Sequence, residues 1–155
     1  TLPISMEVAP SRGGVDPTVS GFVLPLGATV NMDGSALYEG VAALFVAQLY
    51  GRSLGIDEQA LIFLTALVAS IGAAGIPHAS LVMLAIVFHA VGLPLESIGI
   101  LVAVDRVVDM WRTATNVWSD LGAAAVVAST EPGGVVDAGT DREWTGDYDL
   151  GKDER

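Results

Sequence analysis

Apolar runs of half-membrane length alternate with short polar breaks along the first 130 residues. From Gly21 to Val30 the chain is apolar, NMDGS at 31–35 interrupts it, and ALYEGVAALFVAQLY fills 36–50. Neither half reaches the roughly 20 residues that cross a hydrocarbon core of about 30 Å, whereas the two together do. The pattern predicts one spanning helix over 14–50, unwound at NMDGS. Residues 60–71 and 81–93 are again apolar and flank GAAGIPHAS (72–80), a break built from Gly, Pro and small residues. Two short arms and a flexible tip predict a re-entrant hairpin over 56–93, because non-helical backbone at membrane depth is tolerated only where it lines a cavity or packs on protein. A last segment, 95–128, is long enough at 1.5 Å per residue to rise roughly 50 Å and cross with tilt. SRGGVDPT (11–18) and GRSLGIDEQ (51–59) read as turns.

Composition fits this picture. Hydrophobic residues make up 52% of the 155 and charged residues 16%, against about 25% charged in globular chains, and mean hydropathy is +0.57. The charges are unevenly placed: residues 131–155 hold eight acids and three bases. The expectation is an all-α membrane protein, multi-pass and embedded in a lipid bilayer, with a disordered acidic tail over 129–155. A net charge of −11 argues against nucleic acid as a partner, since phosphate binding needs clustered Lys and Arg. The absence of cysteine excludes disulfides and thiolate metal sites. Thr1 opens in mid-element without a basic leader, so the protein is expected to continue upstream. A soluble helical domain is the alternative, and it leaves the polar groups inside apolar helices unexplained.

Those polar groups form a pattern. Asp105, Asp109, Arg112, Asn116 and Asp120 follow one another at spacings of four, three, four and four, which places them within an arc of roughly 80°. Thr113 borders the arc. In water the row would read as surface ion pairs three or four residues apart. Within an apolar helix, charged groups are costly and mark function. One Arg neutralises one of three Asp, so the seam calls for a cation, either a metal ion or a substrate ammonium. Sodium, a hard cation that takes carboxylate and carbonyl oxygens, suits it, and an unwound helix supplies carbonyls near the midplane. A membrane-embedded metal-dependent enzyme is the competing class. It is disfavoured because the seam pairs no nucleophile with a His. His78 and His89 read as packing or local hydrogen-bonding residues, and Trp111 and Trp118 as facing lipid or neighbouring helices; Trp144 carries no signal.

The strings LPLGATVNMDGSALYEG (24–40), ASIGAAGIPHAS (69–80), AVGLP (90–94) and DRVVDMWRTATNVWSDLGAA (105–124) resemble the dicarboxylate/amino acid:cation symporters. That family includes archaeal aspartate transporters and eukaryotic excitatory amino acid transporters. TLPISMEVA (1–9) also resembles the second arm of the family's first hairpin, here 1–10. The likeness covers roughly residues 1–128 and implies the C-terminal part of a transport domain. It implies sodium-coupled symport of glutamate or aspartate by an elevator motion, no enzymatic activity, co-transported Na+ with no organic cofactor, a homotrimer for the full-length protein, and a plasma- or inner-membrane location. A proton-coupled C4-dicarboxylate or neutral amino acid symporter of the same family is the alternative.

The resemblance also implies roles residue by residue. Arg112 matches the arginine that binds the substrate's side-chain carboxylate, and Asp109 the aspartate that takes its ammonium. Ser35, Ala73, Gly75, Thr113 and Asn116 match groups around the substrate. Asp120 with carbonyls near Gly27, Asn31 and Asn116 matches one sodium site, and Asn31 with Asp33 a second. Carbonyls of Thr29, Ser70 and Ile71 with Met32 match a third. Glu39 stands where excitatory transporters carry a proton-linked Glu; a Glu hydrogen-bonded to a neighbouring helix is the other reading. Met110 departs from the excitatory transporters, which carry a second Arg there. Having both Arg112 and Asp109 points to an acidic amino acid, since a buried guanidinium seeks a bidentate carboxylate.

Overall fold

The computed structural model describes residues 1–72 and 79–138. Among the described residues there are six α-helices and no strand: α1 (Leu2–Gly13), α2 (Pro17–Val30), α3 (Asp33–Leu49), α4 (Ile56–Gly72), α5 (Ala79–Ala90) and α6 (Ile98–Thr130). A single 3-10 turn, Leu95–Ser97, leads into α6.

The boundaries follow from local chemistry. α1 ends where Gly14 adopts φ 64° and returns its N–H to the Ala9 carbonyl, a left-handed cap that costs glycine little. The turn is therefore shorter than SRGGVDPT suggested, because Ser11–Gly13 complete α1. Pro17 opens α2, with Asp16 Oδ1 accepting the Thr18 N–H at 2.8 Å, as an N-cap side chain does. α5 closes at Gly92, φ 65°, with the Leu93 N–H reaching back to the Phe88 carbonyl at 2.9 Å. Between α2 and α3 only Asn31 and Met32 leave the helix. Asp33, Gly34 and Ser35 already form the first turn of α3, so the unwound stretch is narrower than the five residues NMDGS.

The chain divides into two compact units, residues 1–26 with 120–155 and residues 27–119. In the first, Ala9, Val15, Leu24, Ala124 and Ala128 form a small apolar cluster. Val15 pairs antiparallel with Val135, while the Val136 N–H donates to the Gly14 carbonyl at 2.9 Å and the Asp16 N–H to the Gly134 carbonyl at 2.8 Å. Of the region read as a tail, Ser129 and Thr130 are the end of α6, and 134–136 are engaged by these bonds; 139–155 lie outside the described residues.

In the second unit α3, α4 and α5 pack on one another. Small residues of α3, Ala42, Ala43 and Ala47, let Ile62 and Ala66 of α4 and Leu84, Val87 and Phe88 of α5 approach closely. The outer faces are apolar as well: Leu37, Val41 and Phe45 on α3 and Phe63, Leu64 and Val68 on α4 are exposed. Helices apolar all round belong inside a larger protein or a membrane. No helix among the described residues is by itself long and apolar enough to cross a membrane. α2 to α5 have 14, 17, 17 and 12 residues, short of about 20. α6 has 33, but it carries Asp105, Arg106, Asp109, Arg112 and Asp120.

Candidate functional site

The polar row of α6 folds into an ion cluster in the second unit. Arg112 is buried, and its Nη2 donates to Asp109 Oδ1 at 2.7 Å. Its Nη1 makes a longer bond to Asp105 Oδ1, 3.4 Å. The two carboxylates differ in access: the Asp105 side chain is 11% exposed and that of Asp109 45%, so Asp109 is the member that something arriving from outside would meet. Tyr38 of α3 places its ring under the guanidinium, 4.6 Å from Cζ to the centroid. That distance is within the range of a cation–π contact. One cation shared by two carboxylates leaves the cluster with spare negative charge.

A second set of bonds joins the α2–α3 break to α6. The Gly34 N–H is one of the four N-terminal donors that a helix cannot satisfy itself, and Asn116 Oδ1 accepts it at 2.8 Å. The Ser35 and Ala36 N–H groups both reach the Met32 carbonyl at 3.0 Å, and Ser35 is buried. Asn31 Nδ2 donates to Ser119 Oγ at 2.9 Å, and Ser119 Oγ donates to Asp33 Oδ2 at 2.5 Å. The Asn31 N–H closes the last turn of α2 on the Gly27 carbonyl at 2.8 Å.

The structure thus brings Asp109, Arg112, Asn116, Asn31, Asp33 and Gly34 into direct bonds in the second unit. Ser35, Met32 and Gly27 sit beside them in sequence on the same elements, and Thr113 is half-buried on α6. Thr29 is exposed at the end of α2. Ser70 is buried with its hydroxyl donating to the Leu67 carbonyl at 2.9 Å, while Ile71 is exposed. Asp120 is buried and belongs to the first unit. Ala73, Gly75 and His78, with most of the hairpin tip, lie outside the described residues, as does Trp144. His89, read as a packing or hydrogen-bonding residue, is exposed in the last turn of α5. Trp111 and Trp118 are 74% and 78% exposed, so neither is packed into the core of the described residues.

Glu39 is fully buried, and neither carboxylate oxygen has a hydrogen-bond partner among the described residues. The helix-bonded reading of this residue therefore finds no donor there. An unrelieved buried carboxylate is costly, which sets Glu39 apart from the other described acids.

Two participants were missed in the sequence. The sequence reading gives no role to either Tyr38 or Ser119. A signal for Ser119 existed: it falls about 20° outside one edge of the α6 polar arc, as Thr113 does outside the other.

The sequence profile of the Sodium:dicarboxylate symporter family matches residues 1–130. Over 127 residues, 82% of this chain, the sequence is 50% identical to excitatory amino acid transporter 3 of Mus musculus, covering 24% of that protein. It is 50% identical over the same length to the putative sodium-dependent excitatory amino acid transporter glt-4 of Caenorhabditis elegans, covering 26%. Excitatory amino acid transporter 4 of Rattus norvegicus matches at 50%, with 23% of it covered. The chain spans about a quarter of the length of these relatives.

Proposed function

The chain belongs to the Sodium:dicarboxylate symporter family, a family of transporters rather than enzymes, and we propose that its full-length protein is a membrane-embedded symporter that moves glutamate or aspartate with sodium. The observation that carries this reading is the ion pair of buried Arg112 with half-exposed Asp109. An acidic amino acid offers both complementary charges. Its ammonium takes Asp109 and its side-chain carboxylate takes Arg112, so each charge exchanges one opposite partner for another and neither is left unpaired in a dry site. A plain dicarboxylate leaves Asp109 without a cation, and a neutral amino acid leaves Arg112 without its bidentate partner.

Sodium is cargo in this reading. Asn31 and Asp33 stand at the α2–α3 break, where the C-terminal carbonyls of α2 carry the negative end of its dipole. The motif resemblance extends the assignment to Gly27, Thr29, Met32, Ser70, Ile71, Asn116 and Asp120, and to Ser35, Thr113, Ala73 and Gly75 around the substrate. Segments 14–50, 56–93 and 95–128 then act as a broken spanning helix, a gate hairpin and a last spanning helix, with 1–10 as one arm of an earlier hairpin. Elevator motion against a fixed scaffold, a homotrimer and a plasma- or inner-membrane location complete the proposal. A buried Glu39 whose oxygens have no partner among the described residues favours proton coupling as an added element of it.

The test is uptake by the full-length protein in proteoliposomes. Radiolabelled aspartate and glutamate are expected to accumulate with an inward sodium gradient and not without one, with succinate and alanine poor competitors. Uptake indifferent to sodium, or succinate taken up as well as aspartate, overturns the reading.

A further inference from the structure

We infer that Ser119 is a positioning residue for sodium, setting the orientation of Asn31 and Asp33 through its hydroxyl. This rests on the proposed sodium role of that pair and adds a residue that neither the motif resemblance nor the comparisons assign.

The argument is one of donors and acceptors. A serine hydroxyl has a single proton and two lone pairs. At Ser119 the proton is committed to Asp33 Oδ2, 2.5 Å away. The hydroxyl oxygen can then only accept from Asn31, 2.9 Å away. An amide meets an acceptor with its NH2 end, so Asn31 Nδ2 is held toward Ser119 and Oδ1 is turned away from it. A hard cation binds the amide through oxygen and not nitrogen. Without the hydroxyl, the bond that selects the NH2 end of the amide on this side is lost.

The same bond acts on Asp33. It engages one carboxylate oxygen and restrains the side chain, which is otherwise exposed at the first turn of α3. Both candidate ligands are thereby tied to α6 three residues after Asn116, whose Oδ1 holds Gly34, the residue after Asp33. Partners of this kind fix the orientation of metal ligands, and losing one commonly weakens ion binding by about ten-fold or more.

The experiment measures sodium-driven aspartate uptake by the full-length protein in proteoliposomes, normalised to the amount of transporter. Ser119→Ala is expected to raise the sodium concentration for half-maximal uptake several-fold, towards ten-fold, with the maximal rate at saturating sodium and the aspartate half-saturation there kept. Ser119→Thr, which retains the hydroxyl, is expected to restore the wild-type sodium dependence. Ser119→Gly is a second hydroxyl-free variant should Ala lower the yield of folded protein. If Asp33→Asn shifts the sodium dependence and both hydroxyl-free variants leave it unchanged, the Ser119 role fails while the sodium reading of the pair stands. If Asp33→Asn also leaves it unchanged, the sodium reading of the pair itself is overturned and this inference with it. A lower maximal rate with unmoved sodium half-saturation marks a merely structural serine and equally overturns the inference.

Discussion

Gly34 and Asn116 meet where the α2–α3 break faces α6, the Gly34 N–H donating to Asn116 Oδ1 at 2.8 Å. There is no room for a side chain at this contact. A Cβ on residue 34 would stand 2.5 Å from the Arg112 carbonyl oxygen, 3.0 Å from Thr115 Cβ and 3.1 Å from Asn116 Oδ1. The nearest of these is backbone of a helix and cannot swing aside. Glycine is needed here for close approach, and the approach sets the distance between the break and the ion cluster.

Gly34→Ala is therefore expected to destabilise the folded protein by about 1–3 kcal/mol, the usual range for overpacking a filled contact. It should also depress uptake more than Gly40→Ala does, since no described residue comes within 4 Å of a Cβ at Gly40. Thermal unfolding of the detergent-solubilised full-length protein, paired with uptake per transporter, checks both. Equal behaviour of the two variants would contradict the close-approach account.

Arg112→Cys removes the carboxylate partner and leaves Asp105 and Asp109 without their shared cation. Acidic amino acid uptake is expected to fall roughly 10- to 100-fold, the range for losing a charge-assisted bond, while small neutral amino acids gain. Competition of labelled serine and aspartate uptake measures the exchange of preference. Unchanged aspartate uptake would dismiss Arg112 as the carboxylate clamp.

Glu39→Gln keeps the shape of a fully buried side chain whose oxygens have no hydrogen-bond partner among the described residues and removes its ability to carry a proton. If Glu39 carries a proton with the substrate, uptake by the wild type should respond to an imposed proton gradient and that of the variant should not. Uptake insensitive to the gradient in both proteins would end the proton role.

Arg52 ties both feet of the α4–α5 pair. Its Nη1 donates to the Val91 and Gly92 carbonyls at 2.6 and 3.1 Å, and its Nη2 to Glu58 Oε1 at 2.7 Å. Glu58 Oε2 accepts the Gly55 N–H at 3.0 Å. The ion pair is partly exposed and worth at most about 1 kcal/mol; the carbonyl bonds hold the end of α5. Arg52→Ala is expected to leave the unfolding temperature nearly unchanged but to speed amide exchange over 91–93. Exchange as slow as in the wild type would show that the end of α5 holds without Arg52.

Much of this was legible in the sequence, for reasons that can be named. The polar row on α6 shows itself because its spacings match the helical period, and the ion pair of Asp109 with Arg112 is a neighbour relation within one helix. The break after Val30 shows itself because two apolar runs, each too short alone, flank a polar interruption. Its width was less legible. Asp33–Ser35 look like turn chemistry in sequence yet begin α3, where Asn116 supplies the acceptor that the first turn needs.

What the sequence by itself determined is therefore the family, the all-helical build, the placing of the α2–α3 break and the face of α6 that carries charge, since each depends on residues near one another along the chain. Only the tertiary structure decided that Tyr38 lies under Arg112, that Glu39 is buried without a partner among the described residues, and that Ser119 links Asn31 to Asp33. Asn31 and Ser119 are 88 residues apart and Gly34 and Asn116 are 82 apart. Such meetings depend on how two helices cross and on one glycine that lets them touch, and no local period of the sequence encodes a crossing.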